Sequence, residues 1–117
     1  MPIELNTVLY PVKDVDQAKA TFTALFGVEP HVDSKYYVGY EVDGHEIGLI
    51  PNGYDQGMTG PEPYFDVEDI NATLIALQGT GAEVLQEPTD VAGGLLVAKL
   101  RDTQGNLIGV KQLPASA

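Results

Sequence analysis

Two stretches of this chain each occur twice, in the same order, and that duplication narrows the possible folds more than any other feature. Val12-Lys13-Asp14-Val15 matches Val67-Glu68-Asp69-Ile70, in each case the end of an alternating run followed by a helix-capping Asp. Gly44-His45-Glu46-Ile47-Gly48-Leu49 matches Gly105-Asn106-Leu107-Ile108-Gly109-Val110. Between them, Leu25-Phe26-Gly27-Val28-Glu29 matches Gly79-Thr80-Gly81-Ala82-Glu83 loosely, mainly through the second Gly. The offset is 55 at the first match and 61 at the last, so the second copy holds extra residues, most simply around Ala92-Gly93-Gly94. Each copy ends on a strand that carries a Gly inside an apolar run. Gly in a strand weakens it and often marks a close approach by a ligand or another backbone.

The local patterns fill in both copies. Leu5 to Val12 alternates as a strand. Asp14 with Gln17 three residues on has a capping-box pattern, and Val15, Ala18, Phe22, Leu25 and Phe26 make an apolar helical stripe that Gly27 ends. Val28 to Val32 and Tyr36 to Val42 read as strands. Asp43-Gly44 is a two-residue hairpin turn, and His45 to Ile50 returns. Pro51 to Pro61, rich in Gly and Pro, reads as a mobile linker. The second copy has strands at Glu62 to Val67, Ala82 to Glu87, Leu95 to Arg101 and Asn106 to Leu113. Its helix starts at Asp69 with Ile70, Thr73, Leu74 and Leu77 on one face and stops at Gly79 or Gly81; its loop runs from Pro88 to Gly94. The expected organisation is one domain over 1–117, with a first βαβββ module at 1–53, a linker at 54–61 and a second module at 62–117.

Composition removes several classes of function. Six Lys and Arg stand against 17 Asp and Glu, a net charge of −11, which repels nucleic acid and anionic lipid. There is no Cys, so disulfides, thiolate metal sites and a Cys nucleophile are excluded. No apolar run approaches the length of a membrane helix, and the N-terminal residues lack the pattern of a signal peptide, so a cytoplasmic protein is expected.

With the doubled βαβββ pattern, the strand-Asp-helix starts at Asp14 and Asp69, and the Asp-x-x-Gly-Asn turn at Asp102 to Asn106, the chain resembles the vicinal oxygen chelate superfamily, also called the glyoxalase/bleomycin-resistance/dioxygenase superfamily. The resemblance covers nearly the whole chain. It implies an α+β fold in which two βαβββ modules form a curved mixed sheet around a cleft, with helices outside. The more apolar set on each strand should then face the helices: Val8, Tyr10, Val12, Val38, Tyr40, Val42, Ile47, Leu49, Phe65, Val67, Ile108 and Val110. The opposite set, including Gly39, Glu41, Ile50 and Leu107, faces the cleft.

Metal-dependent members of the superfamily take His, Gln or Glu ligands from four strand positions, which by register are Thr7, Gly48, Glu62 and Gly109 here. Two glycines and a threonine leave Glu62 as the one strong donor, short of the three protein ligands a catalytic zinc requires. The expectation is a protein without cofactor or metal, although a divalent ion is not excluded by the sequence. His31 and His45, the only histidines, read as surface or packing residues.

The resemblance implies binding of a small organic molecule, as in antibiotic or metabolite sequestration. Expected ligand-binding residues are Thr7, Leu9, Tyr37, Glu46, Gly48, Glu62, Tyr64, Asp66, Gly109 and Lys111, with the glycines making room for a flat or bulky ligand and the tyrosines offering aromatic faces. The plainer reading of the glycines is sheet curvature, and of the charges solvation at the rim. A lyase, isomerase or dioxygenase is the alternative, with Glu62 as base, Tyr64 beside it and Lys111 stabilising a developing anion; a plain ion pair of Lys111 with a carboxylate competes with that role. Glu41 and Glu46, opposite each other across Asp43-Gly44, suggest exposure. The expected partners are a small-molecule ligand and a second copy in a homodimer, with no nucleic acid and no membrane.

Overall fold

The computed structural model describes residues 4–114. Within them the order is β1 (Glu4–Pro11), α1 (Val15–Phe26), β2 (Val32–Asp33), β3 (Val38–Val42), β4 (His45–Ile50), a short 3-10 turn at Tyr54–Gln56, β5 (Glu62–Asp66), α2 (Ile70–Gln78), β6 (Glu83–Ala92), β7 (Leu95–Arg101) and β8 (Leu107–Gln112). The fold is α+β, two βαβββ modules of mixed sheet. Residues 6–62 cluster as one compact unit, and 63–114 with 4 and 5 as another. No helix among the described residues is long and apolar enough to cross a membrane.

The two units share one plan. In the first, the strand order is β2-β3-β4-β1, with β3 and β4 antiparallel and β1 parallel to β4. In the second it is β5-β8-β7-β6, with β5 parallel to β8 and the other pairs antiparallel. In each, the helix that follows the first strand starts on an Asp whose carboxylate accepts from the backbone three residues on. Asp14 accepts from Gln17 N and Asp69 from Ala72 N, both at 3.0 Å. Gly27 ends α1 at φ +73°, a conformation that glycine adopts without a Cβ penalty.

The cores follow the alternation. Val38, Tyr40 and Leu49 are fully buried under α1, with Tyr10, Val12, Val15, Phe22 and Phe26 packed on them. The buried hydroxyl of Tyr40 lies 2.8 Å from Thr23 Oγ1, which satisfies its polar end on the helix. In the second unit Val67, Ile70, Leu74, Ala82, Ala98, Leu100 and Val110 form the core.

Four local expectations change. Leu25 is 70% exposed, because the apolar face of α1 is narrower than the stripe read from the sequence. The strand expected over Val28 to Val32 shrinks to the two residues of β2, pinned where Val32 pairs with Gly39. The loop expected from Pro88 to Gly94 is mostly strand, because shifts of register in the β6–β7 pairing absorb the extra residues, and only Gly93-Gly94 turns. The segment expected to be a mobile linker is tied down: Met58 is buried, and a Cβ on Gly53 would lie 2.8 Å from both Met58 Sδ and Pro11 Cβ.

Candidate functional site

In the first module the sheet face turned away from α1 is built around paired glycines. Gly39 on β3 and Gly48 on β4 are register partners, and Leu9 on β1 partners Gly48 from the other side. The space above these glycines is not open. A Cβ on Gly48 would meet Tyr37 Cε1 at 2.6 Å, the Tyr37 hydroxyl at 2.7 Å and Leu9 Cδ2 at 2.7 Å. A Cβ on Gly39 would meet Tyr37 Cε2 at 2.7 Å. The tyrosine ring therefore lies over both glycines, and the room the sequence suggested for a ligand is filled by the protein's own side chain.

Tyr37 reaches this position from a tight turn. Ser34 Oγ accepts from the backbone N–H of Tyr37 at 3.1 Å, and Ser34 N donates to Tyr37 O at 3.0 Å. Its hydroxyl donates to Glu46 Oε2. The other carboxylate oxygen, Glu46 Oε1, lies 2.7 Å from His31 Nε2. His31 is held in turn by its backbone N–H, which donates to Gly39 O at 2.8 Å. Burial, then the hydrogen bond to Glu46, pushes the Tyr37 phenol well above its ordinary pKa, so the ring stays neutral and donating. Glu46 pairs with Glu41 across the hairpin as expected. It is not simply a solvated rim charge, however, because it clamps two other side chains. Thr7, the register partner of Glu46, is buried and donates from Oγ1 to Asn6 Oδ1 at 2.8 Å. Glu62, at the start of β5, is only 5% exposed.

The second module repeats the device with different parts. Tyr64 on β5 is the register partner of Gly109 on β8. A Cβ on Gly109 would meet Tyr64 Cε1 at 2.6 Å and Cγ at 2.7 Å. The ring thus covers the glycine from its own neighbouring strand, and Tyr64 is only 8% exposed. Two residue pairs further along, Asp66 partners Lys111, with Lys111 Nζ 3.8 Å from Asp66 Oδ1. The ion pair weighed against a catalytic role for Lys111 is therefore present.

Of the expected site residues, the structure brings Leu9, Tyr37, Glu46 and Gly48 together on one face of the first module, and Tyr64, Gly109, Asp66 and Lys111 on one face of the second. His31 is the participant that sequence reasoning missed. Its partner is 15 residues away, and only the β2–β3–β4 pairing brings them together. Away from these faces, a hollow of about 300 Å³ is lined by Val12, Lys13, Pro51, Tyr54 and Asp55, where Lys13 Nζ sits 5.1 Å from the Tyr54 ring centre. It contains none of the expected residues.

The four positions at which the resemblance would place metal ligands do not fit a divalent ion. Gly48 and Gly109 offer no donor, and tyrosine rings occupy the space a donor side chain would need. Among the described residues no group of three His, Asp or Glu side chains stands close enough to hold a metal.

The model of the Glyoxalase/Bleomycin resistance protein/Dioxygenase superfamily matches residues 4–110. The chain belongs to this superfamily. Similar solved structures include a superfamily member from Vibrio splendidus, 14% identical at a TM-score of 0.73 over 96% of this chain and 100% of that one. A methylmalonyl-CoA epimerase from Streptomyces coelicolor is 16% identical at a TM-score of 0.69, over 95% and 94%. A Mn(II)-bound glyoxalase from Novosphingobium aromaticivorans is 18% identical at 0.71; it matches 97% of this chain, which spans only 42% of the glyoxalase. At such identities the superfamily members share the fold. Comparison with curated proteins by sequence gives no match.

Proposed function

We propose that this superfamily member binds a small organic molecule on the sheet faces turned away from its helices, without a divalent metal. The observation that carries the reading is the pair of tyrosine-covered glycines. In both modules a strand position assigned by resemblance to a metal ligand is a glycine, and an aromatic ring fills the space above it. The surfaces so made combine aromatic rings with a few fixed polar groups, among them Glu46, His31, Asp66 and Lys111, the mix that small-molecule sites use. Thr7, Leu9 and Glu62 complete the proposed ligand-binding set, and a homodimer is the proposed assembly.

Tyr37 is the better probe of binding, since it is only partly buried whereas Tyr64 is buried. A thermal-shift screen of aromatic and heteroaromatic compounds should give hits that are unaffected by EDTA and lose at least tenfold in affinity in Tyr37→Ala. Hits that need added metal, or that bind the variant with full affinity, would overturn the reading.

A catalytic reading has one specific support, the hydrogen-bonded chain His31–Glu46–Tyr37. It links a half-exposed imidazole through a carboxylate to a neutral phenol, which is an acid–base arrangement. Under it, Glu46→Gln should abolish turnover of any substrate found, and the Glu62→Gln variant tests the other carboxylate.

A further inference from the structure

Half of the chain's scarce cations stand on one face of two adjacent strands. Of six Lys and Arg, three are Lys99, Arg101 and Lys111. Ala98, Leu100, Ile108 and Val110 turn into the core of the second module, so by alternation these three project from the opposite face. Lys99 partners Gly109 and Val97 partners Lys111, which makes Lys99 and Lys111 diagonal neighbours, about 7–8 Å apart. Like charges so placed repel each other, and a chain of net charge −11 has no general need to gather cations.

The acidic groups on this face are unequally engaged. Arg101 lies 3.9 Å from Glu83, and both are well exposed. Lys111 and Asp66 are mostly buried, with side-chain exposures of 15% and 21%. Their 3.8 Å separation is an ion pair too long for a hydrogen bond. Asp66 Oδ1 is buried with no hydrogen-bond partner, a costly state for a carboxylate oxygen. An ammonium carries three donors, so Lys99 and Lys111 can engage a carboxylate beside the protein groups they already meet. Side by side, then, the face presents ammonium groups suited to an anion and a buried acceptor that needs a donor.

One small molecule meets both demands if it carries a carboxylate next to a hydroxyl or ammonium group. We propose that the β5–β8–β7 face binds a small hydroxy- or amino-carboxylate, its carboxylate between Lys99 and Lys111 and its donor on Asp66. This names the ligand class of the small-molecule reading above and rests on it.

The test is an NMR titration of the ¹⁵N-labelled full chain with lactate, propionate and inorganic phosphate. Lactate should give saturable shifts centred on residues 66, 99 and 111, at least tenfold tighter than propionate, which lacks the donor. Lys99→Gln and Lys111→Gln should each weaken lactate about tenfold. Asp66→Ala should erase the preference over propionate, and Lys35→Gln should change nothing. Propionate or phosphate binding as tightly as lactate would overturn the ligand class, and no saturable shift near Lys99 and Lys111 would overturn the site. The lactate–propionate comparison on the unaltered protein stands even where a variant fails to fold. If this site is silent while aromatic hits still depend on Tyr37, the carboxylate proposal falls and the binding reading survives; if both are silent, both fall.

Discussion

The two modules solve the same problem with tyrosines that are held in different ways. In the first, Tyr37 comes from the turn before β3, lies over Gly39 and Gly48, and is fastened at its tip by Glu46. In the second, Tyr64 belongs to β5 itself, lies over its register partner Gly109, and is buried. A buried ring cannot swing out without disturbing the side chains packed around it. A ring rooted in a turn and latched by one hydroxyl can swing away by side-chain rotation. The second tyrosine is thus part of the structure, while the first is the better candidate for a side chain that answers a ligand.

Truncation separates the two most sharply. Tyr64→Ala should cost about 3–5 kcal/mol, the range for emptying a buried aromatic site. Tyr37→Ala should cost about 1–2 kcal/mol, because a ring that is only partly buried removes less apolar surface from water. Equal losses by urea denaturation would break the comparison.

Filling the glycines is the converse test. Gly109→Ala drives a methyl against the base of a buried ring and should cost about 2 kcal/mol, within the range for overpacking. Gly48→Ala meets the far ends of Tyr37 and Leu9, which can yield, and should cost about half as much, roughly 1 kcal/mol. In Gly109→Ala combined with Tyr64→Ala the clash has no partner, so the double variant should lose less than the sum of the two single losses.

The latch has a pH signature. The Tyr37 phenol titrates higher in the folded chain than when unfolded, so its contribution is fully present below the unfolded value of about 10 and is lost as pH rises through the folded value. Stability should therefore fall in alkali above about pH 10, and Tyr37→Phe should flatten that fall while costing about 1 kcal/mol at neutral pH through the lost hydrogen bond. An unchanged alkaline limb in Tyr37→Phe would remove the latch from the account.

The smallest effect belongs to the turn that marks the second copy of the repeat. Asp102 accepts from Asn106 Nδ2 at 3.0 Å and from the backbone N–H groups of Asn106 and Gln104 at 2.8 and 2.9 Å. The Asn106 side chain first, then the backbone donors, hold its carboxyl below the ordinary value. That stabilisation is complete above the unfolded pKa, about 3.9, and disappears as pH falls through the lower folded value. Asp102→Asn should slightly lower the melting temperature at pH 7, and the difference should shrink as pH falls below about 4. Asp43-Gly44, the corresponding turn of the first module, takes its shape instead from positive φ at both residues (53° and 82°).

Most of the fold was legible because its signals are local. Alternation gives the strands, Asp14 and Asp69 give the helix starts, and the doubled pattern gives the family. What failed locally was decided by pairing partners elsewhere, as when β6 runs on through Pro88 because bulges against β7 allow it. The faces of the candidate site were legible in the same way, and Gly48 and Gly109 stood out. Their tyrosine covers did not. Placing Tyr64 over Gly109 needs the long-range register of β5 with β8, and placing Tyr37 needs a side chain that folds back from the Ser34 turn. Glycines that looked like vacancies were halves of packed pairs.

The central claim is that these pairs replace metal ligands, and metal stoichiometry tests it most directly. Protein purified without added metal, then dialysed against Mn(II) or Zn(II) and desalted, should carry well under one divalent ion per chain by elemental analysis. One tightly held ion per chain, lost when Glu62 is changed to Gln, would contradict the account.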